Sequence, residues 1–287
     1  MGGDGLAENA MRAIYVPSFS TQLKSRPTPK LEQFTVTVDT ATLHHLKKVV
    51  RLRAGERIKI LDGQGHSVEA VISQLLDDSL VLQDGIIQTA PPPRPWDLVV
   101  GLTQDFAEVV RMAQELGVRR IYPWNSSFAQ GKDFKSKSLS SSPSSSSSSL
   151  YTSSTYTRWM RIAVSALEQS NAPWLVEIND RFCERDKDAS WAALLDALNH
   201  CSQVIIAHRP TLSESLSARQ ILDVPSLRED QDLFCVIGPE GGIAHQEWAA
   251  LKAVASSRCL ALPTPILRTP TAVAACYGHL LALKNLV

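Results

Sequence analysis

At 287 residues with 29 basic and 29 acidic side chains, the chain has room for two domains and carries no net charge, which argues against a uniformly basic nucleic-acid binder. Hydrophobic residues make up 44% and charged residues 20%, an ordinary balance for a globular protein in water. No run approaches the roughly 18 uncharged apolar residues a membrane helix needs, so no membrane partner is expected. The five cysteines (Cys183, Cys201, Cys235, Cys259, Cys276) are scattered, mostly within apolar runs, and form no Cys-x-x-Cys pair. That pattern suits buried reduced thiols and no metal site. Asp4 and Glu8 near the start, without an apolar core or basic leader, point to a cytoplasmic protein; an organellar address stays open if a presequence precedes this chain.

In chain order, Ala13–Val16 reads as a short strand, Phe34–Val38 as an alternating strand, and the segment from about Thr40 to Arg51 as a helix. Glu56–Leu61 alternates again and runs into Asp62-Gly63-Gln64-Gly65, a hairpin signal, with further strands at Val68–Ile72 and Leu80–Gln83. Several short strands with one helix suggest a small β-barrel. Residues 12 to 60 hold ten Lys or Arg against three acids, a local excess of seven positive charges. Such a surface attracts phosphate, although a solvated basic face without a partner is the plain alternative. Ala90-Pro91-Pro92-Pro93-Arg94-Pro95 is a stiff linker and a natural boundary, separating residues 12–89 from 97–287.

From Trp96 the rhythm becomes strand, helix, strand. Leu98–Leu102 is continuously apolar, as in a strand covered on both faces. Phe106, Val109, Val110, Ala113 and Leu116 share one helical face, Gly117 follows it, and Val118–Trp124 returns as a strand. Helices at about 157–171 and 245–255, strands near 203–207 and 233–237, and a last helix from Ala272 to about Lys284 complete an α/β domain. Between them lies a low-complexity stretch in which eleven of the fourteen residues from Ser136 to Ser149 are serine. It cannot bury enough surface to fold, so about 135–156 is expected to be a disordered insertion, open to phosphorylation. The apolar run Leu233–Ile237 stops at Gly238-Pro239-Glu240-Gly241-Gly242, and Leu262–Thr271 forms a second loop before the last helix. Glycines at the carboxyl edge of a sheet let a ligand approach bare backbone, so this pair of loops reads as a cofactor pocket.

These segments together resemble the RsmE family of small-subunit ribosomal RNA (uracil-N3)-methyltransferases. The matching pieces are Arg12–Tyr15, His45–Arg53 with Gly55, Asp62-Gly63, Glu115–Val118, Arg158-Trp159 with Glu168-Gln169-Ser170, Ile237–Gly242 and Ile266–Thr269, in the family's order. The resemblance implies a PUA-like RNA-binding β-barrel followed by a SPOUT-type, trefoil-knotted α/β domain, and a homodimer acting on ribosomal RNA or the small ribosomal subunit. It implies S-adenosyl-L-methionine as cofactor, held by three loops: His208 and Pro210; Ile237, Gly238, Pro239, Gly241 and Gly242; Leu262, Ile266, Leu267, Thr269 and Thr271. For Arg12, Lys47, Lys48, Arg51, Arg53 and Lys132 it implies contacts to RNA phosphates, which position without reading sequence.

Uracil N3 is a poor nucleophile until its imide proton weakens, so the reaction needs alignment and a cation beside the carbonyls. Arg268 is the candidate cation, a phosphate or helix-end pairing being the alternative. Glu240 and Glu168 are candidate catalytic carboxylates, each with a plain structural role as its alternative. The chain departs from the resembled pattern at Arg111-Met112, Phe128-Ala129, Asn171-Ala172, Pro263-Thr264-Pro265 and Pro270. A catalytically silent RNA-binding paralogue therefore stands as the second reading. A dinucleotide enzyme is disfavoured because the Gly-x-Gly-x-x-Gly spacing is missing, and a serine hydrolase because no Gly-x-Ser-x-Gly elbow exists.

Overall fold

The structure, a computed structural model, describes residues 11–19, 21, 30–129, 153–207, 230–262 and 264–284. It divides into two compact units, Met1–Pro92 with Leu167–Leu175, and Pro93–Ala166 with Val176–Val287.

In the first unit, strands β1 (Arg12–Tyr15), β2 (Lys30–Thr37), β3 (Arg57–Leu61), β4 (His66–Leu75) and β5 (Ser79–Thr89) form one sheet in the order β1-β3-β4-β5-β2. Only the β1–β3 pair is parallel. Register shifts between Glu69 and Val71 and between Ile72 and Gln74 let β4 bend around the core. That core draws Ile14, Phe34, Val36, Ile58, Ile60, Val68 and Leu82 from alternate strand positions.

Helix α1 (Thr40–His45) starts where the Asp39 carboxylate accepts the Thr42 N–H at 2.9 Å. A single helix to Arg51 was the expectation; instead Leu46–Val50 widens into a π-turn and stops at Arg51, whose φ is 58°. The wider turn keeps Leu46 and Leu52 buried and leaves Val49 66% exposed, so the interruption follows from where the apolar residues must point.

The hairpin turn at 62–65 is organised by the buried Asp62 carboxylate. It accepts the Gln64 and His66 N–H groups at 2.7 and 2.9 Å and lies 2.9 Å from His66 Nδ1. Residues 167–175 lie along this turn. Leu175 N–H donates to Gly63 O and Gly65 N–H to Pro173 O, both at 2.9 Å, and Trp174 Nε1 donates to Pro91 O at 2.7 Å. A Cβ on Gly65 would stand 2.5 Å from the Trp174 ring, so glycine is required for that approach.

The second unit is built on six parallel strands: β6 (Trp96–Gly101), β7 (Arg120–Trp124), β8 (Glu177–Ile178), β9 (Gln203–Ala207), β10 (Leu233–Ile237) and β11 (Ser257–Leu260), in the order β11-β9-β10-β6-β7-β8. Helices α2 (Phe106–Glu115), α3 (Ser153–Ser170), α4 (Lys187–Asn199), α5 (His245–Ala253) and α6 (Thr269–Lys284) connect and cover them. Every residue of β6 is buried because both faces are covered. Val99, Tyr122, Val204 and Val236 belong to one core cluster with Leu194, Leu198, Trp248 and Leu251 of α4 and α5. On the other side α2 packs against α6, Phe106 lies 4.5 Å from the Trp159 ring, and Trp96 meets Tyr277 edge-on.

Helix α3 begins at Ser153, so residues 153–156, expected within the disordered insertion, form its first turn instead. The buried stripe Thr155, Trp159, Ala163 and Leu167 has helical spacing and extends the helix into the serine-containing end. The remainder of that expected insertion lies outside the described residues. Helix α4 and strands β8 and β11 were not anticipated. β8 has two residues, and β11 shows no clean apolar alternation.

Candidate active site

Strands β9, β10 and β11 end side by side at Ala207, Ile237 and Leu260, and these strand ends with the loops that follow β10 and β11 line a cavity of about 340 Å³. Neighbouring β10 and β6 send their chains in opposite directions across the sheet, β6 on to β7 and β10 on to β11 beyond β9. Such a switch point is where open α/β sheets hold ligands, and the cavity lies on its β10-β9-β11 side.

One wall is the turn Gly238–Gly242, closed by the Gly242 N–H donating to Pro239 O at 2.8 Å with Gly242 at φ 79°. This turn is seated on β6. A Cβ on Gly101 would lie 2.7 Å from the Pro239 nitrogen and closer still to its Cδ. A Cβ on Gly241 would meet Phe128 Cβ at 2.9 Å, and one on Gly238 would meet Ile243 at 2.8 Å. The opposite wall comes from Leu262, Ile266 and Leu267, with Ile266 75% exposed at the rim. Cys276 of α6 also lines the cavity, and burial pushes its thiol up to about 11, so it stays protonated near neutral pH.

Glu240 is the one carboxylate among the described lining residues, and its Oε1 accepts the Thr103 hydroxyl at 2.6 Å. Thr103 is itself buried and takes the Asp105 N–H at 3.2 Å. Glu247, buried in the first turn of α5, accepts the Ala244 N–H at 2.9 Å and both the N–H and hydroxyl of Ser127 at 2.7 and 2.8 Å. Thr103 and Glu247 were not singled out in the sequence, and Phe128 was noted only as a departure from the resembled pattern. For Thr103 a signal existed, since it follows a continuously apolar strand at the sheet's carboxyl edge. For Glu247 there was none, because Ala244 is not a capping Ser or Thr and the other partner, Ser127, is 120 residues away.

Of the residues expected to bind cofactor, Ile237, Gly238, Pro239, Gly241, Gly242, Leu262, Ile266 and Leu267 line this cavity together. Thr269 and Thr271 do not. Thr269 is buried with its hydroxyl 3.5 Å from Gly238 O, and Thr271 is exposed on α6. His208, Pro210 and Pro263 lie outside the described residues, as does Lys132. Arg268 is exposed just before α6, its carbonyl accepting the Ala272 N–H at 2.8 Å, and is not part of the lining.

Glu168 is not among the described lining residues and belongs to the first unit, where its carboxylate accepts the Tyr15 N–H at 2.8 Å. Burial raises its pKa, opposed by that hydrogen bond. The geometry gives it a strand-anchoring contact. Arg12, Lys48, Arg51 and Arg53 are exposed on the first unit, and Lys47 pairs with Asp77 at 3.2 Å. Pro270 occupies the first turn of α6, where a missing N–H breaks no helical bond, and Pro265 lines the open cavity.

Arg119 clasps Asp97 through two bonds of 2.8 Å and Asp232 through one of 3.0 Å at the amino edge of the sheet, where β6 and β10 begin. Burial pushes the Asp97 pKa up against this pairing, and Arg119 is held firmly charged. The network is on the edge opposite the cavity and fastens strands. Among the described residues no group of three or more His, Cys, Asp or Glu could hold a metal ion, and no helix is long and apolar enough to cross a membrane.

A two-part chain whose parallel-sheet unit carries a pocket with a glycine-rich wall at its carboxyl edge has the layout of a ligand-binding α/β protein. The chain belongs to the RNA methyltransferase domain family, whose model matches residues 91–281, and an RNA methyltransferase PUA domain matches residues 38–83. It is 27% identical over 256 residues to the ribosomal RNA small subunit methyltransferase E of Synechocystis sp., covering 87% of this chain and 73% of that one. In fold it is similar to the ribosomal RNA small subunit methyltransferase E of Neisseria gonorrhoeae bound to S-adenosylmethionine (TM-score 0.65, 20% identity, 95% of this chain and 98% of that one). A Legionella pneumophila protein in complex with the same cofactor is similar too (TM-score 0.66, 19% identity, 95% and 98%).

Proposed function

We propose that the protein transfers a methyl group from S-adenosyl-L-methionine to N3 of a uridine in small-subunit ribosomal RNA, working as a homodimer in the cytoplasm. The observation that carries this reading is the cavity at the ends of β9, β10 and β11, walled by the Gly238–Gly242 turn and by Leu262, Ile266 and Leu267. Its size falls in the range of small-molecule sites, and its walls offer apolar surface with main-chain groups, which suits an adenine ring and a ribose. The relative from Synechocystis and the solved relative from Neisseria, both named for this reaction's substrate, support the same reading.

When bound, S-adenosylmethionine supplies an electrophilic methyl on a sulfonium. The protein's part is mainly placement. The turn on Gly101 and the loop with Leu262 would hold the adenosine, and Glu240, fixed by Thr103, would offer one oriented acceptor for a hydroxyl or ammonium donor. Arg268 beside the mouth would stabilise the negative charge that grows on the uracil carbonyls as the imide proton passes to solvent water and the N3–methyl bond replaces the sulfur–methyl bond. No metal and no covalent intermediate is needed. Arg12, Lys48, Arg51 and Arg53 would engage RNA phosphates.

The test has two stages. Calorimetric titration with S-adenosylmethionine should show about one site per chain. Incubation with small ribosomal subunits and labelled cofactor should then yield N3-methyluridine on nucleoside mass spectrometry. Binding without product would support the RNA-binding paralogue, the reading motivated by the replaced residues at Phe128 and Pro270. Failure to bind would remove the enzyme reading.

A further inference from the structure

Phe128 sits in the short segment that follows β7, and 46% of it is exposed, unusual for an aromatic on an immobilised loop. The loop is stitched down at every other residue. Asn125 donates its N–H to Phe182 O at 3.1 Å and its Nδ2 to Glu184 O at 2.8 Å. Ser127 gives two hydrogen bonds to buried Glu247, and its carbonyl accepts Lys187 Nζ at 2.8 Å. Ala129 N–H closes the turn on Ser126 O at 3.1 Å. The Phe128 Cβ meanwhile abuts Gly241, a residue of the cavity wall, so closely that a side chain there would clash. The backbone and Cβ of Phe128 are thus fixed against the rim of the pocket while its side chain stays half in water. That arrangement is ill suited to stability and well suited to receiving a flat partner.

We propose that Phe128 is the stacking platform for the target base, holding the uracil ring at the mouth of the cofactor pocket. This rests on the methyltransferase reading above. A nucleobase leaving its helix loses stacking on both faces, and enzymes that modify bases restore it on aromatic side chains. Stacking tolerates any base, so Phe128 sets position, while selection of uracil falls to hydrogen bonds. The position is one where this chain departs from the pattern it resembles.

The experiment compares wild type, Phe128→Leu and Phe128→Tyr on small ribosomal subunits lacking the methyl mark, with saturating S-adenosylmethionine. Leucine keeps apolar volume and removes the π face, and the loop's anchors do not involve the Phe128 side chain, so folding should persist. Phe128→Leu should lower kcat/KM for RNA about 5- to 150-fold, the range for one lost base stack, and Phe128→Tyr should restore it. Cofactor affinity by calorimetry and oligomeric state by light scattering should not move in either variant. An active wild type with Phe128→Leu indistinguishable from it overturns the platform alone. So does a loss appearing as weaker cofactor binding or a shifted oligomeric state, the latter marking Phe128 as a subunit contact. A wild type that binds cofactor and transfers nothing overturns the methyltransferase reading, and the platform with it.

Discussion

Replacing Gly101 with alanine tests whether the cofactor turn is held in place by its seat on β6. The new Cβ would stand 2.7 Å from the Pro239 nitrogen, a backbone atom that cannot rotate away, and nearer still to the proline ring. Gly101 is buried at the end of β6, a strand paired with β10 on one side and β7 on the other, so the strand resists movement more than the turn does. The turn Gly238–Gly242 should therefore be displaced outward or into the cavity. Forcing one methyl into such a contact costs about 1–3 kcal/mol. For a unit of this size that is a melting decrease of roughly 2–12 °C. The larger effect should be on S-adenosylmethionine, whose site loses its wall, with affinity falling about tenfold or more, some 1.4 kcal/mol. Differential scanning fluorimetry and calorimetric titration on the same sample measure both. Gly117→Ala is the control. Gly117 has φ 71° and nothing within 4 Å of a new Cβ, so it should lose about 1 kcal/mol of stability and bind cofactor as wild type does. Wild-type affinity in Gly101→Ala, or an equal loss in Gly117→Ala, would refute the reasoning.

Other expectations concern single side chains. Glu247→Ala strands three donors from Ser127 and Ala244 and should destabilise by about 2–4 kcal/mol in chemical denaturation, with Glu247→Gln milder because its amide oxygen still accepts. Arg268→Ala should leave cofactor affinity intact and lower single-turnover methyl transfer about 10²- to 10³-fold, the usual effect of removing one oxyanion stabiliser. Glu168 has its pKa raised by burial, so the folded state holds a proton more tightly than the unfolded one. Its contribution to stability is accordingly greatest in acid and declines as pH rises above the ordinary value of 4.5 through the raised one. Urea titrations at several pH values should show Glu168→Gln flattening that decline, since glutamine can still accept the Tyr15 N–H without carrying charge.

The readable part of this chain was whatever rests on local pattern. β6 and β10 announced themselves as unbroken apolar runs because a strand buried on both faces has no polar side to show. The turn Gly238–Gly242 could be read as a ligand loop because glycine beside proline at a strand end has few other uses. The same holds for Asp62-Gly63-Gln64-Gly65 and its hairpin. Local pattern misplaced the start of α3, since serines carry no periodicity and it is the buried Thr155, one turn before Trp159, that continues the stripe back toward Ser153.

Tertiary structure settled everything that depends on partners far apart in the chain. Glu168 and Glu240 look alike in sequence, yet one accepts a strand N–H at Tyr15 and the other a hydroxyl at Thr103 beside a cavity. Their separations of 153 and 137 residues put those partners beyond any local rule. Gly101 shows no turn signal, and its need for glycine comes from Pro239 lying across it. Phe128 would pass for an ordinary core aromatic by type, and only the structure shows it half exposed beside Gly241. Side-chain type sets what a residue can do, and the order in which parallel strands are laid beside one another decides what it meets.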